Sequence, residues 1–380
     1  MKKIKRHLDV IHGYEDLETL YRFEKFPVFM GCTDQSRNSD LRVDMTWEIS
    51  KGSGMIQLNP LLPLDVLYSE SHGSGDVGHI WTEHHQKFAE FINLYEPDSV
   101  LEIGGGHGIL SLEYRRISAV DWTIVEPNPS PAKGVDANFI KGFFDDTFIF
   151  EERVGAIVHS HVFEHVYNPS DFISDISHFL QDGQMLIFSI PNMKEMLQRK
   201  YTNCLNFEHT IFITEPYVEY LLSRNGFRKI EKRYFKADHS IFYAYIKDSN
   251  VSIASLPEGL YESNKKIFLE YVNYHKNLIR QLNIKMEEIS KLQSIYLFGA
   301  HIFAQYLIEF GLDTRHIVCI LDNDANKQSK RLYGTSVMVA SPRILEDLEN
   351  PIIILKAGVY NKEIAEDILI NINSTAIFWE

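Results

Sequence analysis

The chain has 380 residues, of which 44% are hydrophobic and 24% are charged, a composition typical of globular proteins rather than disordered or fibrous ones. Its 52 acidic residues outnumber its 38 basic ones, and the net charge of −14 disfavours binding to nucleic acid or to an anionic membrane. No run of about 18 apolar residues occurs, so no transmembrane helix is expected. The basic N-terminus lacks the apolar core of a signal peptide, and three cysteines make no disulfide framework. We therefore expect a cytoplasmic protein with reduced thiols.

The predicted elements fall into four segments. Residues 1–80 are rich in Gly, Pro, Asp and Ser and are expected to form a small irregular lobe. Residues 81–250 begin with a helix and then alternate between strands and helices, which predicts an α/β domain with a parallel sheet. Apolar spacing over 251–290 predicts a connecting helix, and a second alternation over 291–380 predicts a C-terminal Rossmann-like domain.

Five apolar runs of the central segment are predicted to be strands: SVLEIG, WTIVEP, ANFIKGFF, VGAIVHSH and GQMLIFSIP. Before the fifth run, NPSDFISDISHFLQDG has helical spacing, an Asn/Ser start and a Gly stop. EPYVEYLLSRNGFRKIEKRYF predicts a further helix, ended by Gly226, and another strand. In the C-terminal segment, SIYLFGAHIFAQYLIEFG predicts strand, turn and helix, IVCILDND and PIIILKAG predict strands, and SPRILEDL predicts a helix.

A glycine-rich loop follows the first central strand, in VLEIGGGHGIL, with alternating Gly104, Gly106 and Gly108. Such a loop brings backbone N–H groups to a ligand at a helix N-terminus, as dinucleotides and S-adenosylmethionine require. Glu102 precedes the glycines and would repel a pyrophosphate, whereas it suits the cationic amino-acid end of S-adenosylmethionine. Glu126, at the end of the second strand, suits the ribose hydroxyls of either ligand. The acid and the glycine spacing therefore favour S-adenosylmethionine over NAD and disfavour an NAD-linked oxidoreductase.

With these residues, the central segment resembles the class I S-adenosylmethionine-dependent methyltransferases. HSHVFEHVYNPSDFI looks like the superfamily segment in which a strand ends in polar residues and an EH pair precedes a helix, and GQMLIFSIPN resembles the fifth strand. The resemblance implies a Rossmann-like methyltransferase domain. It also implies that Phe144 and Asp145 lie near the adenine and that His161 lies near the methyl group.

Three further blocks resemble the sugar C-methyltransferases that act on nucleotide-linked keto-deoxysugars. They are GMIQLNPLLPLDVLYSESHGSG with WTEHHQKFAEFI, then NFEHTIFITEPYVEYLLSRNGF, and LFGAHIFAQYLIEFGL with CILDNDANKQSKRLYGTSVMV. The resemblance implies a role in sugar biosynthesis, with an acceptor-binding N-terminal lobe and a degenerate nucleotide-binding fold at the C-terminus. By the same resemblance, His209 is the catalytic base, and Glu208 orients its imidazole or binds the sugar.

Several polar side chains are expected near the acceptor. His161 and His165 share the loop at the carboxyl end of the fourth strand, the edge where α/β sheets bind ligands, so either is an alternative base. Tyr68, His72 and His165 are expected to bind the substrate. In the C-terminal segment, Asp322 ends a strand as a ribose-binding acid would, but the turn FGAHIFAQ has a single glycine, which favours a scaffold role.

The N-terminal segment departs from the sugar C-methyltransferases, which carry a zinc site built from paired cysteines. Here Cys32 stands alone, and His72, His79 and His84 follow it at irregular spacing, so no metal is expected. This departure leaves open methylation of a sugar hydroxyl or of another small polar acceptor. A non-catalytic S-adenosylmethionine-binding partner in a sugar-biosynthesis assembly is the alternative from another class, and the intact glycine loop with His209 disfavours it.

Overall fold

The computed structural model describes residues 2–68 and 78–380. Its strands are β1 (Leu17–Pro27), β2 (Cys32–Thr33), β3 (Arg42–Ser50), β4 (Ile56–Asn59), β5 (Ser99–Ile103), β6 (Asp121–Glu126), β7 (Asn138–Lys141), β8 (Ala156–Ser160), β9 (Met185–Pro191), β10 (Phe227–Tyr234), β11 (Ser240–Lys247), β12 (Ile295–Phe298), β13 (Ile317–Leu321), β14 (Arg331–Leu332), β15 (Val339–Ala340), β16 (Ile352–Leu355) and β17 (Ile377–Trp379). Its helices are α1 (Leu64–Leu67), α2 (His79–Asn93), α3 (Ile109–Arg115), α4 (Pro169–Phe179), α5 (Met193–Gln198), α6 (Glu215–Arg224), α7 (Leu260–Ile289), α8 (Ile302–Glu309) and α9 (Asn361–Asn371).

The chain divides into two compact units that are each discontinuous in sequence. Unit 1 comprises Met1–Leu17, Ile49–Lys194 and Glu208–Tyr261, and unit 2 comprises Glu18–Glu48, Glu195–Phe207 and Glu262–Glu380. The division into four segments at residues 80, 250 and 290 stays a prediction. Among the described residues, none of the helices combines the length and the apolar composition needed to cross a bilayer.

Unit 1 contains a seven-stranded sheet in the order β10-β11-β9-β8-β5-β6-β7. All five predicted central strands are present as β5 to β9, and they run parallel to one another. Strands β10 and β11 form an antiparallel hairpin, and β11 pairs antiparallel with β9. Strand β5 pairs with β6 on one side and with β8 on the other, so the order of the strands reverses at β5. A crevice opens at the carboxyl end of β5 as a result. The predicted Rossmann-like class I fold is confirmed.

The helices of unit 1 follow the sequence signals closely. Helix α4 begins after Asn168, whose side chain accepts the N–H of Asp171, and Pro169 occupies the first turn, where its missing N–H costs nothing. Helix α6 ends just before Gly226, whose φ of 74° is a left-handed conformation that favours glycine. The predicted helix that precedes β5 is α2, and its apolar face packs on the sheet in one core cluster.

Unit 2 contains a five-stranded parallel sheet in the order β15-β13-β12-β16-β17. The predicted strand, turn and helix at its start are β12 and α8, and the two later predicted strands are β13 and β16. The predicted connecting helix is observed as α7. The helix predicted for SPRILEDL was wrong. Residues Pro342–Leu345 form a 3₁₀ turn, because the N–H groups of Ile344 and Glu346 bond the carbonyls three residues back rather than four.

The first 60 residues contain strands where an irregular lobe was expected, so this expectation is corrected. In β3, Val43, Met45 and Trp47 are buried while the residues between them are half-buried. This period of two is the signature of a strand with one covered face, and RVDMTWEI carries it in the sequence. The Gly- and Pro-rich stretches on either side obscured the signal.

In unit 2, Asp40 makes a buried ion pair with Arg331. Its carboxylate oxygens accept the two Nη groups of Arg331 at 2.7 and 2.6 Å and the N–H of Gly334 at 2.9 Å. The side chain of Asp40 is 1% exposed and that of Arg331 is 10% exposed. This pair holds the loop after β2 against the turn after β14.

We predict that Asp40→Ala lowers the free energy of unfolding by about 3–5 kcal/mol, because it leaves the Arg331 guanidinium buried without its counter-charge. Urea denaturation checks this. The control is Glu270→Ala, which removes an exposed pair with Lys266 at 3.9 Å and should change stability by less than about 1 kcal/mol. Equal effects of the two substitutions would contradict the prediction.

Candidate functional site

A cavity of about 500 Å³ opens in unit 1 at the carboxyl ends of β5, β6 and β8. It brings together most of the side chains and loop positions named from the sequence: Tyr68, Glu102, Gly104, Gly106, Glu126, Phe144, Asp145, His161, His165 and Glu208. Two other named residues, Gly108 and His209, are absent from its lining, and His72 lies outside the described residues.

The glycines of the loop after β5 meet two different requirements. Gly104, Gly106 and Gly108 have φ values of 70°, 53° and 77°, which disfavour any residue with a Cβ. A Cβ on Gly108 would also lie 2.7 Å from Cγ1 of Val135, whereas a Cβ on Gly106 would meet no atom within 4 Å. Gly108 therefore serves the packing of α3 on the sheet, and Gly106 keeps the backbone bare beside the cavity.

Glu102 lies at the base of this loop with 2% exposure. One of its carboxylate oxygens accepts the indole N–H of Trp122 at 2.7 Å. Burial raises the pKa of this carboxyl to about 7, although the hydrogen bond from Trp122 acts in the opposite direction. A buried carboxyl poised near neutrality ionises readily when a cationic group arrives, as the amino group of S-adenosylmethionine would.

Glu126 organises the same loop from the end of β6. Its Oε2 accepts the N–H of Gly106 at 3.0 Å, and its Oε1 accepts the N–H of Asn128 at 3.1 Å. An ionised carboxylate accepts about four hydrogen bonds, so these two leave capacity for ribose hydroxyls. The side chain of Asn128 donates to the carbonyl of Tyr68, which fixes Tyr68 next to the loop.

His161 ends the strand region of β8 in a left-handed conformation, with φ of 54°. A non-glycine residue in this region is strained, and such strain concentrates at functional sites. Its Nε2 lies 2.9 Å from Oγ of Ser240, and its Nδ1 lies 3.2 Å from Oε1 of Glu164. Its ring also packs edge-on against Trp81, with centroids 5.0 Å apart. Both ring nitrogens of His161 therefore face polar side chains.

Glu164, His165 and His209 form a second group next to the cavity. Glu164 is fully buried in the 3₁₀ turn Phe163–His165, and Nε2 of His165 lies 3.8 Å from its Oε1. The other nitrogen of His165, Nδ1, lies 3.4 Å from the hydroxyl of Tyr68. The ring of His209 packs perpendicular to that of His165, with centroids 5.0 Å apart. His209 thus contacts His165, which lines the cavity, but does not itself line it.

Backbone contacts hold the segment around Thr210 against the turn that carries Glu164. The N–H of Thr210 donates to the carbonyl of Glu164 at 2.8 Å, and the N–H of Leu58 donates to the carbonyl of Thr210 at 2.9 Å. The buried guanidinium of Arg6 donates to the carbonyls of Thr210 and Tyr167 at 2.8 and 2.5 Å. The segment that carries Glu208 and His209 is therefore fixed relative to the turn that carries Glu164.

Sequence reasoning missed several residues that the structure brings to this place. Trp81 and His85 line the cavity, while His84 and His239 pack against Trp81 and His161. The spacing of Trp81, His84 and His85 puts them on one face of α2, but the apolar residues that follow made this face look like core. His239 comes just before β11, a strand that was not predicted.

Two groups of side chains in the described ranges have ligand atoms within 4.8 Å of one another. One group is His84, His161 and His239, and the other is Glu164, His165 and His209. Imidazole and carboxylate are ligands of several divalent metals. Cys32 belongs to neither group, and the expectation that no metal is bound stays a prediction.

In the C-terminal sheet of unit 2, Asp322 is engaged by its own domain. Its Oδ2 accepts the N–H of Ala300 at 2.8 Å and lies 3.2 Å from Nζ of Lys327. The scaffold role of this domain stays a prediction.

Comparisons with known proteins agree with this geometry. Residues 77–232 match the sequence-family model described as a methyltransferase domain. Residues 77–232 form a methyltransferase domain. This domain contains strands β5 to β9 and the loop between Glu102 and Gly108. No curated protein matches the chain.

Two solved structures illustrate the structural similarity. The 1,6-didemethyltoxoflavin-N1-methyltransferase of Burkholderia thailandensis, solved with 1,6-didemethyltoxoflavin and S-adenosylhomocysteine, is 15% identical, with a TM-score of 0.39 over 53% of this chain and 96% of its own. Human N-acetylserotonin methyltransferase, solved with SAM, is 16% identical, with a TM-score of 0.38 over 49% of this chain and 60% of its own. At these scores the similarities carry no argument about the acceptor.

We predict that the affinity for S-adenosylmethionine falls as the pH drops below about 7. The raised pKa of Glu102 means that its carboxyl is neutral below this value and ionised above it, and the ionised form attracts the amino group of the cofactor. Calorimetric titration should show the Kd rising by up to about tenfold per pH unit on the acidic side. Glu102→Gln should bind weakly at every pH and remove this dependence, and an unchanged slope in the variant would refute the assignment.

Substitutions in the glycine loop should separate folding from binding. Gly108→Ala combines a strained φ with a steric clash at Val135, so we expect it to lower the free energy of unfolding by more than about 2 kcal/mol. Gly106→Ala adds strain of about 1–2 kcal/mol without a clash, but its methyl group lies beside the cavity and should weaken cofactor binding. Thermal melting and calorimetry measure both effects, and a larger loss of stability in Gly106→Ala would contradict this division.

Proposed function

We propose that the enzyme methylates a sugar, and specifically a nucleotide-linked keto-sugar, by base-assisted transfer of a methyl group to carbon. The observation that carries this proposal is the composition of this cavity. Its lining combines Glu102, the glycine loop and Glu126 with the side chains of Tyr68, His165 and Glu208. Its volume of about 500 Å³ lies within the range of small-molecule sites and is lined by both polar and apolar groups.

The residues that we expect to bind the cofactor fit S-adenosylmethionine on chemical grounds. Glu102 offers a carboxylate to the amino group, Glu126 offers acceptor capacity to the ribose, and Phe144 with Asp145 lies on the lining where the adenine is expected. Bound S-adenosylmethionine supplies an electrophilic methyl group. The protein then has to align the acceptor and remove its proton.

The residues around the methyl acceptor also have to supply a general base. We assign this role to His209, with Glu208 on the cavity lining to bind the sugar or to orient the imidazole. In C-methylation, the base takes the proton from the carbon next to the ketone, that carbon forms a bond to the methyl group, and the carbon–sulfur bond of the donor breaks. The displaced product is S-adenosylhomocysteine, and the proton remains on the imidazole until solvent removes it.

Two alternatives use the same residues. In O-methylation the same base would take a hydroxyl proton, and no other residue would need to change its role. A non-catalytic binding protein would need the cofactor residues alone. The ordered group of Glu164, His165 and His209 next to the cavity disfavours such a protein, because it assembles titratable side chains that binding does not require.

A mass-spectrometric transfer assay tests the acceptor. The enzyme is incubated with S-adenosylmethionine and with matched pairs of nucleotide-linked sugars that carry either a ketone or a hydroxyl at the same position. We expect a gain of one methyl group on the keto-sugar, with loss of deuterium placed on the neighbouring carbon. Methylation of the hydroxyl sugars alone would move the chemistry to oxygen, and transfer to neither class would overturn the sugar proposal.

We predict that His209→Ala lowers kcat by roughly 100-fold or more, because the variant has lost its general base, while the affinity for S-adenosylmethionine stays nearly constant. Single-turnover kinetics and calorimetry measure the two quantities. The control is His178→Ala, on the exposed face of α4, which should retain normal turnover. Normal turnover by His209→Ala would remove His209 from the role of base.

A further inference from the structure

Glu164 is a buried carboxylate that faces imidazole groups from several positions. Its side chain has no exposed surface, and Nδ1 of His161 lies 3.2 Å from Oε1. Nε2 of His165 lies 3.8 Å from the same oxygen, and His209 belongs to the same convergent group. A single carboxylate thus serves all three histidines that are candidate bases.

This arrangement carries a large electrostatic cost unless the carboxylate has a positive partner. Among the described residues, neither oxygen of Glu164 accepts a backbone N–H or a hydroxyl, so the imidazole N–H groups around it are the donors available to it. Burial alone would raise the pKa of Glu164, but the contact with His161 and the proximity of His165 and His209 lower it to about 2. The carboxylate therefore stays ionised in a buried position, where an imidazolium nearby is its natural compensation.

The outer nitrogens of the two nearest histidines face other polar side chains. Nε2 of His161 lies 2.9 Å from Oγ of Ser240, and Nδ1 of His165 lies 3.4 Å from the hydroxyl of Tyr68. An ionised carboxylate only accepts hydrogen bonds, so the imidazole nitrogen that faces it is the one that carries a proton. The opposite nitrogen of each neutral ring is then an acceptor, and on His165 this acceptor points to the Tyr68 side of the cavity.

We propose that Glu164 is a positioning residue that fixes the proton-bearing nitrogens of His161 and His165 and stabilises the imidazolium formed when this histidine group accepts the proton of the methyl acceptor. The inference rests on the proposed base-assisted transfer and extends it. The proton moves from the acceptor carbon or hydroxyl to an imidazole nitrogen. Glu164 itself gains no proton, and the imidazolium returns its proton to solvent after the product leaves.

The first test replaces Glu164 by Gln, which keeps the shape and removes the charge. We expect kcat to fall roughly 100-fold or more while the Kd for S-adenosylmethionine changes less than about threefold. Because the imidazolium loses its counter-charge, the acidic limb of the kcat–pH profile should move to lower pH by about one unit or more. Glu164→Asp should restore part of the rate. The matched control is Glu113→Gln, which alters another buried glutamate, on α3 and paired with Arg116.

The pH profile has to be assigned against every titratable group that faces Glu164. These groups come from β8, from the loop after it, from the segment before α6 and from the end of α1: His159, His161, His165, His209 and Tyr68. Burial lowers the pKa of His159 to about 3 and raises that of Tyr68 above its usual range, so neither titrates near neutrality. The shift of the acidic limb therefore reports the three remaining histidines.

A measurement on the wild-type enzyme keeps the test independent of how the variant folds. Long-range proton–nitrogen NMR spectra of ¹⁵N-histidine-labelled protein report which ring nitrogen carries the proton. We expect protonated Nδ1 on His161 and protonated Nε2 on His165, and the opposite tautomers would overturn the proposal.

Three further outcomes would distinguish other roles of Glu164. An unchanged pH profile in a folded Glu164→Gln variant, or equal losses in kcat and cofactor affinity, would show a merely structural role. One equivalent of a divalent metal in the wild type that is lost in Glu164→Gln would show a metal ligand instead. If His209→Ala is fully active while Glu164→Gln shifts the profile as expected, the base assignment fails and the role of Glu164 stands.

Discussion

The site depends on one topological constraint, the reversal of strand order at β5. Because β6 and β8 pair with opposite edges of β5, their carboxyl ends flank a crevice that no crossover helix covers. The glycine loop, Glu126 and His161 each follow one of these three strands directly. Side chains that are distant in sequence therefore converge on one cavity, and their place in it depends on which strand they follow.

The two buried carboxyl groups of this cavity region illustrate how surroundings set chemistry. Glu102 and Glu164 are both removed from water, yet burial raises the pKa of Glu102 to about 7, whereas the histidines hold that of Glu164 at about 2. The first is poised to respond to a cationic ligand, and the second is a permanent anion. Environments that separate the pKa values of two carboxyl groups in this way are typical of sites in which one group binds a ligand and the other assists proton transfer.

The sequence predicted the cofactor half of the site far better than the acceptor half. Glu102, the three glycines and Glu126 are neighbours of strands with strong apolar patterns, so their placement followed from the alternation of strands and helices. The group around His161 was harder to predict. Trp81 comes from a helix whose pattern looked like core, and His239 precedes and Ser240 begins strand β11, which was not predicted. Only tertiary pairing of β11 with β9 brings Ser240 to His161. The loss of paired cysteines around Cys32 was visible in the sequence, but the strands β1 and β3 that surround it were not predicted.

The histidines of unit 1 separate into two classes according to their surroundings, and this separation narrows the search for the base. Burial lowers the pKa of His84 well below its ordinary value, that of His85 to about 4 and those of His159 and His239 to about 3, so these rings stay neutral at physiological pH. A neutral ring that resists protonation is a poor proton acceptor, whatever its distance from the substrate. His161, His165 and His209 instead lie around the ionised carboxylate of Glu164. Methyl transfer removes the positive charge of the sulfonium and places a proton on the base, so a site that performs it gains from a fixed anion beside that base. In the described part of unit 1, Glu164 places such an anion beside His161, His165 and His209.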